Sequence, residues 1–389
     1  MKILYLSLPG FADSDFPLVR SLQKKGVDIT YVMDLIPSSK KTTIVNINDS
    51  FQVDGLIKAD CYTDLNIFKS YLDFDSFYIL NRTKDRRLSN SGIKAVIALI
   101  RFIKEEKFDI IHSTFTFWYW DMLLYLFRNK MILTVHDPFP HTGENSFRKI
   151  IFKNIAFKAI KSFVLLNSAQ KNKFETTYSI SPLNVLISRF GPFDYLKLFS
   201  EEDNNTPNNI LFFGRISPYK GVEYLCEAFL QVNKVIKNAT LTIAGGGNIY
   251  FDFSRYSNNP QITLINRFLD IAEIAKLVGN STIVVCPYTD ATQSGVITTA
   301  FSLIKPVIAS NVGGLGEMVI DKVTGLLVQP KNTSQLAEAI IQVLSSDILL
   351  FHLKKGIIEK FYEGANSWDN ISNEYIQYYK SKSNCNTNV

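Results

Sequence analysis

The sequence of 389 residues contains little cysteine and no long apolar run. Its four cysteines form no Cys-x-x-Cys pair and have no regular spacing, so neither a zinc site nor a disulfide framework is indicated. They are Cys61, Cys226, Cys286 and Cys385. No uninterrupted apolar stretch approaches the ~20 residues of a membrane-spanning helix. The apolar stretch of residues 1–7 is soon followed by Pro9, so it is too short for the apolar core and cleavage site of a signal peptide. We therefore expect a cytoplasmic protein.

Two ligand-binding signatures are also missing. The turn after the first predicted strand, residues 8–13, lacks the G-x-G-x-x-G fingerprint, which argues against a nicotinamide-binding first domain. The net charge of +6 is modest, and no recognised nucleic-acid-binding module accompanies it. We therefore expect no nucleic-acid partner.

The sequence does contain enough apolar material for two domains, since 46% of its residues are hydrophobic. Short apolar runs typical of strands alternate with segments of helical spacing. The pattern starts with a strand over residues 2–7, a helix over 16–22 and a strand over 27–32. This alternation predicts an α/β protein with parallel sheets.

One loop in the second half places two cations beside a strand-to-helix turn. Residues 209–213 form a predicted strand that Gly214 ends, and a predicted helix starts at Val222. Arg215 and Lys220 therefore lie at the carboxyl end of a parallel strand, where open α/β sheets bind their ligands. Because Arg can bind two phosphate oxygens and Lys acts as a point charge, the loop indicates a diphosphate site. Taken alone, such a pair is more typical of ordinary solvated loop cations.

Four further motifs follow this loop in a fixed order. After F-G-R-x-x-x-x-K-G come A-G-G-G, P-Y-x-x-A-T-Q-S-G-V, K-P-V-I-A-S-x-V-G-G-L-x-E and T-G-L-L-V-x-P. They occupy residues 213–221, 244–247, 287–296, 305–317 and 324–330. Together they resemble the C-terminal half of the retaining, nucleotide-sugar glycosyltransferases of family 4, in the subset with a Gln-Ser-Gly-Val motif.

This resemblance implies the GT-B fold, in which two Rossmann-like, doubly wound parallel-sheet domains face each other across a cleft. We expect an acceptor-binding domain over residues 1–199, a linker over 200–208 and a nucleotide-sugar-binding domain over 209–365. The helix of residues 366–381 is expected to cross back and pack on the first domain, anchored by Trp368.

The resemblance also implies a reaction. A sugar passes from a nucleoside diphosphate to a hydroxyl acceptor with retention at the anomeric carbon, and the leaving phosphate oxygen accepts the acceptor's proton. Arg215 and Lys220 are the expected catalytic cations and His136, after a predicted strand, is expected to assist the donor sugar. No cofactor is expected, because the cations and a helix N-terminus can neutralise the leaving diphosphate.

The donor is expected to contact both glycine-rich turns, the helix start and one further turn. Exposed N–H groups at a helix N-terminus suit phosphate, and a simple helix cap by Ser294 is the lesser alternative. In the family, the backbone around Phe268 meets the nucleobase. The donor-binding residues predicted besides the two cations are Gly214, Gly245, Phe268, Gln293, Ser294, Gly295 and Val296.

The sequence departs from the family at one helix. Most members carry two glutamates separated by seven residues, and the matching positions here are Ala291 and Thr299. This absence leaves open two alternatives to a glycosyltransferase. One is a non-catalytic, nucleotide-binding partner subunit, and the other is a sugar-nucleotide epimerase of the same fold.

The acceptor side is expected in the first half of the chain. The resemblance places Gly10 there, and His141 lies close to His136 in sequence. A metal site made by the two histidines is not expected, because a five-residue spacing across two prolines is poor for chelation. The aromatic run of residues 115–120 is interpreted as packing in preference to a sugar platform.

Basic residues gather in this half of the chain. One group lies between Arg82 and Lys94, and residues 147–161 alternate bulky apolar and basic residues. That segment is either a membrane-interface helix over anionic lipid or a core helix with a solvated basic face. With a lipid-linked or polysaccharide acceptor in surface-polysaccharide or glycolipid assembly, we expect peripheral association with the inner face of the plasma membrane.

Overall fold

The computed structural model describes all residues except 43, 137, 140–146, 167, 200–205, 292–293 and 386–389. The chain divides into two units, of which unit 1 comprises residues 1–190 and 368–389 and unit 2 comprises residues 191–367. The strands of unit 1 are β1 Lys2–Ser7, β2 Asp28–Leu35, β3 Gly55–Lys58, β4 Phe77–Asn81, β5 Ile110–Ser113, β6 Met131–Val135, β7 Ser162–Leu165 and β8 Val185–Ile187. Those of unit 2 are β9 Asn209–Phe213, β10 Thr240–Ala244, β11 Ile262–Ile265, β12 Ile283–Cys286, β13 Val307–Ser310 and β14 Gly325–Val328.

Twelve α-helices connect these strands in the described part of the chain. They are α1 Ala12–Lys24, α2 Asn90–Glu106, α3 Phe147–Ala159, α4 Lys171–Tyr178, α5 Val222–Val235, α6 Ser254–Ser257, α7 Ile271–Asn280, α8 Gly295–Ser302, α9 Leu315–Met318, α10 Thr333–Leu344, α11 Asp347–Ile357 and α12 Trp368–Cys385. A single π-helical turn, Ile358–Tyr362, continues α11.

The sheet of unit 1 has the order β3-β4-β2-β1-β5-β6-β7-β8. All neighbouring strands are parallel except β3 and β4, which pair antiparallel at one edge. The strand order reverses between β1 and β5, because the chain runs outward from β1 in one direction and from β5 in the other. Side chains that follow β1 and β5 therefore meet at the point where such sheets bind ligands.

The sheet of unit 2 consists of six parallel strands in the order β11-β10-β9-β12-β13-β14. Taken in chain order within the unit this is 3-2-1-4-5-6, the arrangement of a dinucleotide-binding fold. Its central strands β9, β12 and β13 are buried on both faces and are accordingly continuous apolar runs, such as Ile210 to Phe213. The reversal lies between β9 and β12, so the loops after these two strands form the expected ligand edge.

Helix α12 belongs to unit 1, as the predicted fold requires. Two tyrosines of α12 form hydrogen bonds with the rest of unit 1. Tyr378 Oη donates to Asn184 O over 2.6 Å, and Tyr379 Oη lies 2.5 Å from His112 Nδ1. Ser21 Oγ of α1 donates to Ser372 Oγ over 2.9 Å. The units divide after Phe190, earlier in the chain than the polar linker placed over residues 200–208.

Helix α3 packs as a core helix. Ala156 and Phe157 are at most 4% exposed and join the apolar core of unit 1, whereas Arg148 and Lys158 face outward. Phe152 stacks on Trp118 with 5.0 Å between ring centroids. Of the two interpretations of this segment, the structure shows the core helix with a solvated basic face. The run of residues 115–120 likewise contributes packing, since Phe117 is 1% exposed.

In the part of the chain that the structure describes, no single helix is long and apolar enough to cross a membrane. Segments Thr333–Leu344 and Asp347–Tyr362, which meet at a 94° bend, satisfy the length and composition test only as a pair.

Candidate donor and acceptor sites

The loop after β9 carries both predicted cations at the reversal point of the sheet. Gly214 has φ 120° and ends the strand. Arg215 is exposed and Lys220 is half-buried. Neither forms a salt bridge with any residue that the structure describes, so both charges are available to an anion.

The loop is docked on the segment that follows β12. Thr289 N donates to Tyr219 O over 2.8 Å. Gly221 has φ 64°, and a Cβ there would lie 2.1 Å from Pro287 O, so only glycine fits. The two loops at the reversal point therefore form one packed structure.

Lys220 lies over an aromatic ring in this packed structure. Its Nζ is 3.7 Å from the centroid of the Tyr288 ring, in the range of a cation–π contact. Burial lowers the pKa of Lys220, and the neighbouring Arg215 lowers it further. A bound diphosphate would oppose this lowering of the pKa by supplying opposite charge.

The start of α8 is open. Ser294 is its N-cap residue but makes no capping hydrogen bond, and its Oγ lies instead 3.3 Å from Tyr288 Oη. A Cβ on Gly295 would meet nothing within 4 Å, and one on Gly214 would lie 3.6 Å from Val296 Cγ2. The uncapped N-terminus of α8 therefore lies beside the cation loop. Gln293 falls outside the described residues.

The other two predicted donor turns also meet. Asn266 pairs with the backbone of Gly247, since each donates to the other over 3.1 Å. A Cβ on Gly245 (φ 140°) would lie 2.1 Å from Gly214 O, so glycine is needed for this close approach. Phe268 follows on this edge and is 75% exposed. Unit 2 thus brings together every described residue predicted to bind the donor.

The acceptor-side predictions fall in unit 1. Gly10 is exposed in a short 3₁₀ turn, and a Cβ there would meet nothing within 4 Å. His136 follows β6 and stacks on Phe11, with 3.9 Å between ring centroids. Gly10 and His136 therefore lie close together through Phe11, while His141 falls outside the described residues.

Sequence reasoning missed a buried carboxylate near His136. Asp15 is 3% exposed at the start of α1 and accepts hydrogen bonds from Tyr5 Oη over 2.9 Å and from Ser7 Oγ. Ser7 Oγ also contacts Thr114 Oγ1 over 2.6 Å, so the group spans the reversal between β1 and β5. Burial raises the pKa of Asp15 to about 8. An aspartate on the apolar face of an amphipathic helix was the only sequence signal for it.

Residues 207–346 match the family of glycosyl transferases group 1. This segment is therefore similar to the group 1 glycosyltransferases. It contains every unit 2 motif described above.

Relatives extend the similarity to other parts of the chain. An uncharacterized glycosyltransferase of Methanocaldococcus jannaschii is 33% identical over 178 residues, which cover 44% of each protein. The chain therefore spans less than half the length of this relative. The UDP-Gal:alpha-D-GlcNAc-diphosphoundecaprenol alpha-1,3-galactosyltransferase of Escherichia coli is 25% identical over 75% of this chain and 81% of its own.

Solved structures share the whole fold. That of Alr3699/HepE from Anabaena in complex with UDP superposes with a TM-score of 0.61, at 15% identity, over 98% of this chain and all of the other. The predicted GT-B fold, with its two parallel-sheet domains, is therefore confirmed.

In unit 2, the two positions that match the expected glutamates are at most partly exposed. Thr299 is 9% exposed on α8. Ala291 is partly buried, and its carbonyl oxygen accepts from Gly314 N over 3.3 Å. A Cβ on Gly313 would lie 1.8 Å from the same oxygen. The loop around Ala291 is thus fixed by backbone packing, and a glutamate's contacts must come from other residues.

Two cations of the basic group between Arg82 and Lys94 are held in the interior, whereas Lys84, Arg86 and Lys94 are exposed. Arg82 is 3% exposed and donates to Asp34 over 2.7 Å and to Asp121 over 2.8 Å. Arg87 also donates to both carboxylates. These two arginines therefore neutralise two buried carboxylates, Asp34 near the end of β2 and Asp121 in the 3₁₀ segment after β5, and do not contribute charge to a membrane surface.

Proposed function

We propose that the protein is a retaining, metal-independent glycosyltransferase of the hexosyltransferase type. Its donor is a nucleoside-diphosphate sugar and its acceptor is a hydroxyl on a lipid-linked or growing polysaccharide. The observation that carries the proposal is the site at the reversal point of unit 2, where Lys220, Arg215 and the uncapped start of α8 lie together.

This site suits a diphosphate leaving group. As the bond between the anomeric carbon and the β-phosphate oxygen breaks, negative charge develops on that oxygen. Arg215 and Lys220 are fixed cations, and the N–H groups of Gly295 and Val296 carry the positive end of the helix dipole. Within the described residues, no group of three or more His, Cys, Asp or Glu side chains could hold a metal ion.

The rest of the step conserves atoms and charge. The acceptor oxygen attacks the anomeric carbon on the face from which the diphosphate departs, which gives retention. Its proton passes to the leaving phosphate oxygen, so no protein nucleophile is needed. His136, which follows β6, is proposed to assist the donor sugar, as the family resemblance implies.

A polysaccharide or glycolipid role is supported by the Escherichia coli relative, whose name gives a diphosphoundecaprenol-linked acceptor. We infer cytoplasmic activity with peripheral membrane association on the same basis. Arg148 and Lys158, on the outward face of α3, supply cations for this membrane association.

Thermal unfolding with UDP, GDP, ADP and their common sugar conjugates, in the presence of a chelator, tests the proposal. Stabilisation by one nucleotide family reports binding to the folded state. We expect it to disappear in Arg215→Ala/Lys220→Ala and to persist in Lys276→Ala, which removes an exposed cation of α7. No stabilisation of the native protein by any nucleotide would contradict the proposal.

Ala291 and Thr299 favour one second candidate, a non-catalytic partner subunit that retains nucleotide binding. An assay of sugar transfer to membrane extracts separates the two, because the partner subunit binds nucleotide without turnover. Conversion of the donor sugar with no acceptor present would instead identify an epimerase.

A further inference from the structure

We propose that Tyr288 is a positioning residue for the diphosphate, whose ring holds the Lys220 ammonium and whose hydroxyl holds Ser294 away from the end of α8. The proposal rests on the function proposed above, because it assumes that the cations and α8 bind a diphosphate. Tyr288 itself is not expected to touch the ligand.

The ring of Tyr288 is a fixed platform. The side chain is fully buried, at 0% exposure, in the apolar core of unit 2. Lys220 Nζ lies 3.7 Å from its centroid and 5.2 Å from that of Tyr219, which is 45% exposed. The ammonium is therefore closest to the ring that cannot move.

Backbone contacts alone do not place this ammonium. The hydrogen bond from Thr289 N to Tyr219 O fixes the backbone of the loop, but Nζ lies beyond four rotatable side-chain bonds. In the absence of an ion pair with a described residue, the contact with Tyr288 is the restraint on that flexible chain. The ring thus restricts the Lys220 side chain before a phosphate binds, so that less conformational entropy is lost on binding.

The hydroxyl of Tyr288 acts on the second diphosphate-binding element. Serine at an N-cap position normally accepts a hydrogen bond from the second or third helical N–H. Ser294 does not, and its Oγ, buried at 4% exposure, lies 3.3 Å from Tyr288 Oη. Because the hydroxyl engages Ser294, the first N–H groups of α8 stay open to an anion.

A residue that only fills the core would need neither the contact with the Lys220 ammonium nor the contact with Ser294. Phenylalanine would fill the same volume without the hydroxyl, which in Tyr288 contacts Cys286 as well as Ser294 at the uncapped helix. Tyr288 therefore connects the two halves of the anion site, since one side chain contacts Lys220 at one end and Ser294 at the other.

The test measures nucleotide affinity by calorimetry with UDP, GDP and ADP, and with the matching nucleosides. Tyr288→Met removes the ring, and we expect it to weaken nucleotide binding about tenfold, equivalent to about 1.4 kcal/mol. Nucleoside affinity should not change. Tyr288→Met/Lys220→Ala should bind no more weakly than Tyr288→Phe/Lys220→Ala, because both lack the hydroxyl and the ring has no ammonium left to hold.

Tyr288→Phe keeps the ring and folds without a cavity. We expect it to weaken nucleotide binding about fivefold, equivalent to about 1 kcal/mol, as Ser294 turns to cap α8. In a Ser294→Ala background this loss should vanish. Tyr256→Phe is the matched control, since it removes a buried hydroxyl that donates to Glu227 over 2.6 Å and should leave affinity unchanged.

Nucleotide binding by the native protein that is lost in Lys220→Ala but retained in both Tyr288 variants would overturn the inference and leave the proposed function intact. Equal weakening of nucleotide and nucleoside binding would also overturn it, because it would indicate a general packing role. A native protein that binds no nucleotide would overturn the proposed function and this inference together.

Discussion

The imidazole of His136 lies face to face on the ring of Phe11, with 3.9 Å between centroids and 7° between planes. His136 follows β6, and Phe11 ends the turn between β1 and α1. The stack therefore joins the loops after two different strands of unit 1. It also orients the imidazole, because a stacked ring can rotate only within its own plane.

Removal of this stack should impair catalysis more than donor binding. In Phe11→Ala, the imidazole loses its neighbour, and we expect transfer activity to fall about tenfold or more, since small misplacements of catalytic groups are costly. Phe11→Tyr keeps the ring and should retain activity. Steady-state transfer assays with nucleotide affinity measured in parallel provide the readout. Unchanged activity in Phe11→Ala would contradict an oriented His136.

Asp15 should make stability depend on pH between about 6.5 and 8. Burial raises its pKa to about 8, so the folded protein keeps a proton that the unfolded chain loses near pH 4. Stability therefore falls as pH rises through this window, by up to about 1.4 kcal/mol per pH unit. Asp15→Asn imitates the protonated form and should remove that slope.

Two neighbouring titratable groups determine the pH range in which the effect of Asp15 can be measured. Burial lowers the pKa of His112 to about 3, which gives the opposite slope up to its ordinary value near 6.5. Burial also raises the pKa of Asp13. This residue is present in both the native protein and Asp15→Asn. Denaturant unfolding of both proteins at pH 6.5, 7.25 and 8 measures the difference. A native protein with no more slope than Asp15→Asn would contradict a buried, protonated carboxyl.

Most strands could be predicted from the sequence because their apolar runs are continuous. The strands starting at Lys2 and Asn209 have the predicted bounds. By contrast, β3 and β4 lie in a stretch of residues 38–91 to which the sequence assigned no structure. In β3, Leu56, Ile57 and Lys58 are only half-buried, so no clear alternation marks this edge strand.

The site was predictable where glycine and charge mark it, as at Gly214, Arg215 and Lys220. Tyr288 and Asp15 were not assigned roles, because a buried tyrosine or an aspartate within a helix has no local signature. Their contacts join segments far apart in sequence, such as Ser7 with Thr114. Likewise, Arg82 was grouped with exposed cations because only the fold brings Asp34 and Asp121 to it.

The buried charge network around Arg82 should be essential for stability. In Arg82→Met, Asp34 and Asp121, each 1% exposed, lose a partner that donates to both of them. We expect the free energy of unfolding to fall by about 3–5 kcal/mol, because uncompensated charges remain buried. Arg101→Met, at an exposed position of α2, should change it by less than about 0.5 kcal/mol. Urea unfolding measures both, and similar values for the two variants would contradict the prediction.

Gly221 should tolerate no side chain. Its φ of 64° is strained for other residues, and a Cβ would lie 2.1 Å from Pro287 O. Since this overlap would push the cation loop away from the segment after β12, Gly221→Ala should lower the free energy of unfolding by about 1–3 kcal/mol and weaken UDP, GDP or ADP binding. Gly10→Ala is the matched control, because a Cβ there meets nothing within 4 Å. If Gly221→Ala matches native stability and affinity, the docking of this loop on Pro287 does not hold the anion site together.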